Sequence, residues 1–497
     1  MRIVLASSEA VPFAKTGGLA DVVSALAKAL AELGHQVWVI IPHYPQQLPK
    51  NLSPAIEPAN ISFPVPIGTR AADARILWST LPGSEVTVLH VDQPAYFNRP
   101  SLYNEGSRDF PDNCERFCFF SRAVVETCRR MVLRPDVIHA NDWQTALIPA
   151  LLKAEHRSTT GLSNTGAVLT IHNMAFQGKF WHWDMHLTGL DWKYFNWRQM
   201  EAYGQLNLMK TGIVFSDMVT TVSPTYAREI QTPEGGCGLN GVLTSHRDSL
   251  VGILNGVDPD DWNPATDPHL ARNFNFATVA EGKPACKAWL QTHLGLPVRA
   301  DVPMFGLISR MADQKGLDIL GQCLDDVLQE DVQMAFLGTG ERHYEEMLVA
   351  KQQQYPQKVA TRIGFNEGLA HQIEAGIDAF LMPSRYEPCG LNQMYSLIYG
   401  SVPVVRTVGG LADSVVDTTP ETLANRTATG FRFDDYSSDA LKRTIFRTLE
   451  AYRNRATWTQ LMRTGMSQDC SWGRSAKEYV RVYEQAQAKS AARPADE

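Results

Sequence analysis

At 497 residues, with 44% apolar and 20% charged side chains, the chain is too long for one ordinary core and reads as a globular protein of two or three domains. A formal net charge of −7 excludes general nucleic-acid binding, and no apolar run approaches the roughly 18 to 20 residues of a membrane span. Eight scattered cysteines, with Cys114 and Cys118 four apart on an expected helix, lack a second Cys or His pair to complete a zinc set and read as free thiols in a reducing cytoplasm.

The apolar start, Met1 to Ala6, has no basic region, and Glu9 follows at once, so it reads as a buried strand rather than a signal peptide. Leu19, Val22, Val23, Leu26 and Leu30 then repeat at helical spacing, and Gly34 closes that helix. Val37 to Ile41 is the next strand. Val137 to Ala140 leads into Asn141–Asp142–Trp143, and Val168 to Ile171 into His172–Asn173. Met218 to Val222 precedes Ser223–Pro224, a helix start with Ser as N-cap and Pro in the first turn.

The rhythm restarts near residue 303. Met304 to Ile308, Met334 to Leu337, Ala379 to Met382 and Val402 to Val405 are expected strands, each followed by Gly, Ser or Pro. Strands alternating with helices imply parallel sheets covered on both faces, here as two α/β domains facing one another. The Pro-, Asp- and Asn-rich stretch from Asn255 to Pro268 marks the hinge, which falls there or just before. The last 20 or so residues read as a terminal helix with a frayed end.

Several loops carry residue types suited to an anionic ligand. Lys15–Thr16–Gly17–Gly18 joins the first strand to the first helix, where glycines admit a ligand and a helix N-terminus offers N–H groups. It matches neither a Walker loop nor G-x-G-x-x-G, and by itself it reads equally as a tight turn with a solvated lysine. Gly17 to Asp21 (GGLAD) recurs as Gly409 to Asp413, and a pair facing each other across a cleft is one reading of that echo.

Arg310 and Lys315 follow a strand at its carboxyl end, where they could clamp a leaving diphosphate; a plain surface pair is the alternative. Glu387, in Ser384–Arg385–Tyr386–Glu387–Pro388–Cys389–Gly390–Leu391, could support positive charge on a sugar carbon from the start of a helix. His172 and Asp142 each end a strand. Asp258–Pro259–Asp260 matches a metal-binding D-x-D but reads as turn chemistry. The crowded rings of Trp181, Trp183, Trp192, Tyr194, Phe195 and Trp197 read first as packing and loop anchoring, with a sugar-contacting loop as the alternative.

Eight segments, in order and spanning residues 1 to about 475, closely resemble the bacterial glycogen synthase and plant starch synthase family. They are KTGGLADV from Lys15, HANDW from His139, TIHNMAFQG from Thr170, TVSPTYAREI from Thr221, LNGVD from Leu254, ISRMADQKGLD from Ile308, PSRYEPCGLNQ from Pro383 and TVGGLADSV from Thr407. The resemblance implies two facing Rossmann-like domains, the glycosyltransferase type B fold, with the active site in the cleft. The expected domains are 1–252 (acceptor side and catalytic loop) and 253–470 (sugar-nucleotide side). Residues 471–497 would form a helix packing back on the first domain.

The resemblance also implies a cytoplasmic enzyme that moves glucose from ADP-glucose to an α-1,4-glucan with retention of configuration, without metal or cofactor. Glu387, His172, Arg310 and Lys315 would be catalytic. Lys15, Gly18, Asp21, Asp142, Asn255, Phe365, Cys389, Gly390, Leu391, Gly409, Gly410 and Leu411 would contact substrate. Phe365 stands where the family pattern suggests tyrosine, so it keeps a ring and loses a hydroxyl. Tyr395 stands where a related branch carries a second glutamate, which weighs against sucrose, trehalose or lipopolysaccharide transferases. The alternatives are a UDP-glucose donor, a pyridoxal phosphate-dependent glucan phosphorylase, and a silent glucan-binding protein.

Overall fold

The buried apolar runs form strands in a computed structural model, which describes residues 1–49, 55–106, 108–156 and 158–492. In chain order the main strands of the first half are β1 (Arg2–Ala6), β2 (Gln36–Pro42), β3 (Glu57–Ile67), β4 (Arg70–Thr80), β5 (Thr87–Asp92), β6 (Val137–Asn141), β7 (Gly166–Ile171), β8 (Met218–Thr221) and β9 (Leu250–Gly252). Among the described residues they make one sheet in the order β9-β8-β7-β6-β1-β2-β5-β4-β3. From β9 through β5 every pairing is parallel; Ile3, for example, sits opposite Val37 on one side and Val137 on the other.

One edge of the sheet adds an antiparallel hairpin to the expected parallel arrangement. β3 and β4 form an antiparallel hairpin that pairs antiparallel to β5. Pro58, Pro64 and Pro66 suit only an edge strand, because proline donates nothing to a ladder, and β3 is the edge.

The chain reverses direction across the sheet at β1, which lies between β2 and β6. In open α/β sheets the crevice outside the carboxyl ends of the strands at such a reversal is where ligands bind. The loops after β1 and β6 flank it, and these carry Lys15 and Asp142.

Val257–Ser471 forms a second compact unit, and the first comprises Met1–Gly256 together with Trp472–Glu497. The strands of the second are β10 (Met304–Ile308), β11 (Gln333–Gly338), β12 (Val359–Ile363), β13 (Ala379–Met382), β14 (Val402–Arg406) and β15 (Phe431–Phe433). Their order is β12-β11-β10-β13-β14-β15, all parallel. Here the reversal lies between β10 and β13, so the loops bearing Arg310 with Lys315 and Ser384 with Glu387 flank it. Two apolar clusters, one on each side of residues such as Phe305 and Met304 in β10, build its core.

The helix Trp472–Ala491 belongs to the first unit. Trp472, Tyr479, Val482 and Tyr483 share a core with Ile3, Leu5, Leu26 and Val37. The helix approaches β7 so closely that a Cβ on Gly166 would sit 2.9 Å from the Ala486 backbone. Tyr483 Oη lies 2.8 Å from His139 Nδ1, and His139 Nε2 lies 2.5 Å from Thr170 Oγ1. Burial pushes His139 down to about 3, so the bridging ring is neutral. Truncating a buried ring such as Trp472 would cost about 3–5 kcal/mol. Residues 493–497, the expected frayed end, lie outside the described residues.

All eight cysteines are free, and Cys114 and Cys118 sit on the helix Asn113–Arg130 with their sulfurs 4.0 Å apart. No helix among the described residues is long and apolar enough to cross a membrane.

Candidate active site

In the first unit the loop after β1 is held by a carboxylate that the sequence patterns had not singled out. Glu9 is buried. Its Oε2 accepts the backbone N–H of Thr16 (2.6 Å) and of Gly17 (3.2 Å), and its Oε1 accepts the Thr16 hydroxyl (2.6 Å) and the Tyr103 hydroxyl (2.5 Å). Four donors on one carboxylate fix the loop in a single shape. The loop then enters the helix Gly18–Glu32, with Gly17 extended at the N-cap. Lys15 is exposed, and its Nζ lies 2.8 Å from Asp21 Oδ1 in the first turn of that helix. The sequence-expected Lys15, Gly18 and Asp21 therefore share one helix start.

Asp142 and His172 meet at the ends of β6 and β7. Asp142 adopts a left-handed conformation (φ 57°), which Asp tolerates better than most residues, and its Oδ1 accepts the His172 backbone N–H at 2.8 Å. Burial, with Glu9 nearby, raises the Asp142 carboxyl to about 7. His172 Nε2 lies 2.9 Å from Asn141 Oδ1, while the Asn141 amide donates to the Ala6 carbonyl. That orientation makes Nε2 the protonated nitrogen and leaves Nδ1 as an acceptor. Burial lowers His172 to about 3, so it acts as a neutral hydrogen-bonding group.

Asn255 also falls in the first unit, although the expectation grouped it with residues 253–470. It is 6% exposed, and its Oδ1 is buried without a hydrogen-bond partner among the described residues.

In the second unit Arg310, Lys315, Glu387, Gly390 and Leu391 line one cavity of about 140 Å³, with Ser384 and Asn392. The Lys315 loop ends in Gly316 at φ 74°, where a Cβ would strike the Pro383 carbonyl at 2.0 Å, so the loops after β10 and β13 touch through a glycine. That contact brings Lys315 Nζ to 2.6 Å from Glu387 Oε2, which also accepts the Ser384 hydroxyl at 3.0 Å. Glu387 is only 7% exposed. Arg310 is exposed, and its Nη2 lies 3.4 Å from Gln314 Oε1.

The remaining expected contacts divide. Gly409 and Gly410 pack under the Glu387 loop: the Gly410 N–H donates to the Glu387 and Pro388 carbonyls at 3.2 and 3.1 Å. The side chains of Leu411 and Cys389 are buried, Leu411 in the core cluster with Met304 and Phe380. The Leu411 N–H donates to the Val408 carbonyl. The apolar Leu411 side chain thus anchors the helix Gly409–Ser414 to the core. Phe365 is 86% exposed on the loop after β12 and does not line the cavity.

Tyr395 stacks on Trp262 at 3.8 Å, and Trp262 stacks on His371 at 3.8 Å. The residue that replaces a second glutamate is therefore a layer in an aromatic stack. Asp258 Oδ1 accepts the Asp260 N–H, the turn expected of that D-x-D. Among the described residues, the His, Cys and acidic groups close enough to share a metal ion are Asp313, Glu341 and His343, all exposed, and neither Asp258 nor Asp260 is among them.

Sequence reasoning missed Glu9, Tyr103 and Ser384. Glu9 had one mark available, a carboxylate three residues beyond the buried first strand.

Two α/β units, each with cationic and acidic side chains at its strand-order reversal, form a glycosyltransferase of the type B fold, as the family and structural matches show. Residues 2–245 match the starch synthase catalytic domain family, and residues 295–463 match the glycosyl transferases group 1 family. The chain is 47% identical over 495 residues to a glycogen synthase of Rhodopirellula baltica, covering 97% of each chain. It is 47% identical to one of Anaeromyxobacter dehalogenans, covering 97% of this chain and 99% of the relative. Among solved structures it resembles the catalytic domain of starch synthase IV from Arabidopsis thaliana bound to ADP and acarbose, with TM-score 0.88, 33% identity and coverage of 98% and 99%. A sucrose-phosphate synthase from Thermosynechococcus elongatus, at TM-score 0.58 and 16% identity, shares the fold alone. The chain belongs to the glycogen synthase and starch synthase family.

Proposed function

We propose that this chain transfers glucose from ADP-glucose to the non-reducing 4-hydroxyl of an α-1,4-glucan, with retention of configuration and release of ADP, in the cytoplasm. The observation that carries this reading is the Lys315–Glu387 pair beside Arg310 around a single cavity. A departing diphosphate gains negative charge, which Arg310 and Lys315 are suited to stabilise. Glu387, held by Lys315 and Ser384, is suited to support positive charge at the anomeric carbon.

The bond from C1 to the diphosphate oxygen breaks as the bond from C1 to the acceptor oxygen forms on the same face, and the acceptor proton passes to the diphosphate. The neutral His172 imidazole, with Nδ1 as acceptor, suits a sugar hydroxyl, and Lys15 suits the nucleotide's negative charge. In this reading the first unit supplies the acceptor side, the second binds the sugar nucleotide, and no metal is required.

The test is the initial rate of glucose transfer onto glycogen from ADP-glucose and from UDP-glucose, both in EDTA. Fast transfer from ADP-glucose alone is expected. A preference for UDP-glucose would overturn the donor, loss of rate in EDTA the metal-free chemistry, and no transfer from either would overturn the reading.

A further inference from the structure

One buried carboxyl in the second unit has no part in the chemistry above. Glu374 lies in the helix Glu367–Gly376 and is fully buried. Its Oε2 is 2.8 Å from the Ser396 hydroxyl, and its Oε1 is buried with no hydrogen-bond partner among the described residues. An ionised carboxylate taken out of water needs several donors, and a bare buried oxygen leaves its charge uncompensated.

The protons around Ser396 give the charge state. Ser396 Oγ lies 2.8 Å from Glu374 Oε2 and also 2.8 Å from the Asn392 carbonyl oxygen. A carbonyl only accepts, so the single hydroxyl proton of Ser396 points there, as in the bond that serine makes to the preceding turn of a helix. The second short contact then takes its proton from the carboxyl, and Glu374 Oε2–H donates to Ser396 Oγ. Burial, the largest influence, raises this carboxyl to about 8, in accord with that count.

The charged groups nearby are committed elsewhere. The helix Glu367–Gly376 packs against the helix Val279–Leu294, the helix Asn392–Ile398 and β10. From Val279–Leu294 comes Lys283, which opposes the effect of burial only in part. Its Nζ lies 3.3, 3.2 and 3.1 Å from the carbonyls of Glu374, Ala375 and Tyr399, and 2.8 Å from the Ser401 hydroxyl. On the same helix Lys287 pairs with Asp378 at 2.6 Å, and Cys286 donates to the Arg272 carbonyl. Asn392–Ile398 brings Tyr395, stacked on Trp262, and just beyond it the Tyr399 hydroxyl donates to Asp267. Asp267 also holds His371 of the Glu374 helix at 2.8 Å, with the His269 ring 4.9 Å from that of His371. β10 has no ionisable side chain.

This carboxyl holds the helix that follows Glu387. Asn392, whose carbonyl takes the Ser396 proton, donates its Nδ2 to the Ile308 carbonyl at 2.7 Å, and both residues line the cavity with Arg310 and Glu387. The run from Glu374 through Ser396 and Asn392 to Ile308 therefore fastens the loop bearing Glu387 to the loop bearing Arg310. Removing the proton turns the Ser396 hydroxyl toward the carboxylate, takes it from the Asn392 carbonyl and leaves a charge in a dry site.

We propose that Glu374 is a positioning residue that works only as the neutral acid, and that losing its proton displaces Asn392 and the Glu387 loop and switches transfer off at alkaline pH. The proposal rests on the glucosyl-transfer reading above.

Glu374→Gln tests it in the full-length protein, because Gln keeps a donor toward Ser396 and cannot ionise. Wild-type kcat on glycogen is expected to fall about tenfold from pH 7 to pH 9, as a group titrating near 8 requires, while the KM for ADP-glucose stays within about twofold. The Gln variant should match the wild type within about twofold at pH 7 and lose less than about twofold by pH 9. An equal alkaline loss in both proteins would overturn the proposal and point to Lys283, which burial lowers to about 8. Ser396→Ala cuts the same run beyond the carboxyl and should lower kcat about fivefold at pH 7. An unchanged kcat there would also overturn it.

Thermal unfolding reads the same proton without turnover. The folded carboxyl titrates near 8 against 4.5 ordinarily, so its contribution to stability is complete below about pH 4, declines as pH rises and is gone above about 8. The Tm of Glu374→Gln relative to the wild type should therefore grow by about 5 °C between pH 5 and pH 9. Parallel curves would overturn the neutral acid. If the wild type transfers no glucose, the functional reading fails while these curves still decide the protonation of Glu374.

Discussion

The same five residues, Gly-Gly-Leu-Ala-Asp, open a helix in each unit and do different work. In the first unit a Cβ on Gly17 would meet nothing within 4 Å, and the loop is held by the Glu9 carboxylate. In the second, a Cβ on Gly409 would strike the Glu387 carbonyl at 1.9 Å, and one on Gly410 the Cys389 carbonyl at 2.1 Å. There the glycines are required by packing, and they seat the backbone of Glu387 itself. A short repeat thus reports a shared local geometry, a loop entering a helix, while its neighbours decide whether the glycines leave room for a ligand or let two loops touch.

Four experiments would break or sharpen that contrast. The largest effect belongs to the group the second loop exists to hold: Glu387→Gln should lower kcat about 1,000-fold while the KM for the sugar nucleotide moves only a few-fold. Steady-state kinetics decide it, and near-normal turnover would remove Glu387 from the chemistry. Next, Gly409→Ala should displace the Glu387 loop and cost about 100-fold in kcat, whereas Gly17→Ala, at the matching position of the other copy, should cost less than about threefold. Equal losses would show the two copies to be doing the same job.

Glu9→Gln places an amide where the carboxylate collects donors, so the Lys15 loop should loosen. The KM for the sugar nucleotide should rise about tenfold, with kcat falling less. An unchanged KM would show that the loop needs no such anchor. The smallest effect is on stability. Asp142 titrates near 7 in the fold against 3.8 ordinarily, so its neutral form is the one the fold favours. Its contribution is complete below about pH 4, declines as pH rises, and is gone above about 7. Asp142→Asn should therefore raise Tm at pH 8 relative to pH 4 by a few degrees compared with the wild type; parallel curves would refute the shift.

How far the sequence carried can be judged at particular elements. Met304–Ile308 and Ala379–Met382 are legible to the residue, because strands buried on both faces are continuous apolar runs. The hairpin Glu57–Ile67 with Arg70–Thr80 was not, because the prolines of the first strand remove ladder donors and only an edge position accommodates them. Glu387, Lys315 and Arg310 could be nominated from their places after strands, but the 2.6 Å pairing depends on Gly316 passing the Pro383 carbonyl, a contact 67 residues apart in the chain. The aromatic stretch reads first as packing and loop anchoring, and Trp181, Trp183, Trp192 and Phe195 do pack ring to ring. Yet Trp181, Trp183, Trp192 and Trp197 also stay exposed, and ring count alone does not tell an anchored loop from a displayed one.

The helix Trp472–Ala491 gives the chain the topology of an insertion. The first unit is a discontinuous protein into which 215 residues, Val257–Ser471, have been spliced, and the two splice points lie together: Val257 donates its N–H to the Cys470 carbonyl at 2.7 Å. During synthesis the first unit cannot close its core until the whole insert has left the ribosome, since Tyr479 and Tyr483 arrive last. The insert, whose ends meet, is free to fold while its host waits.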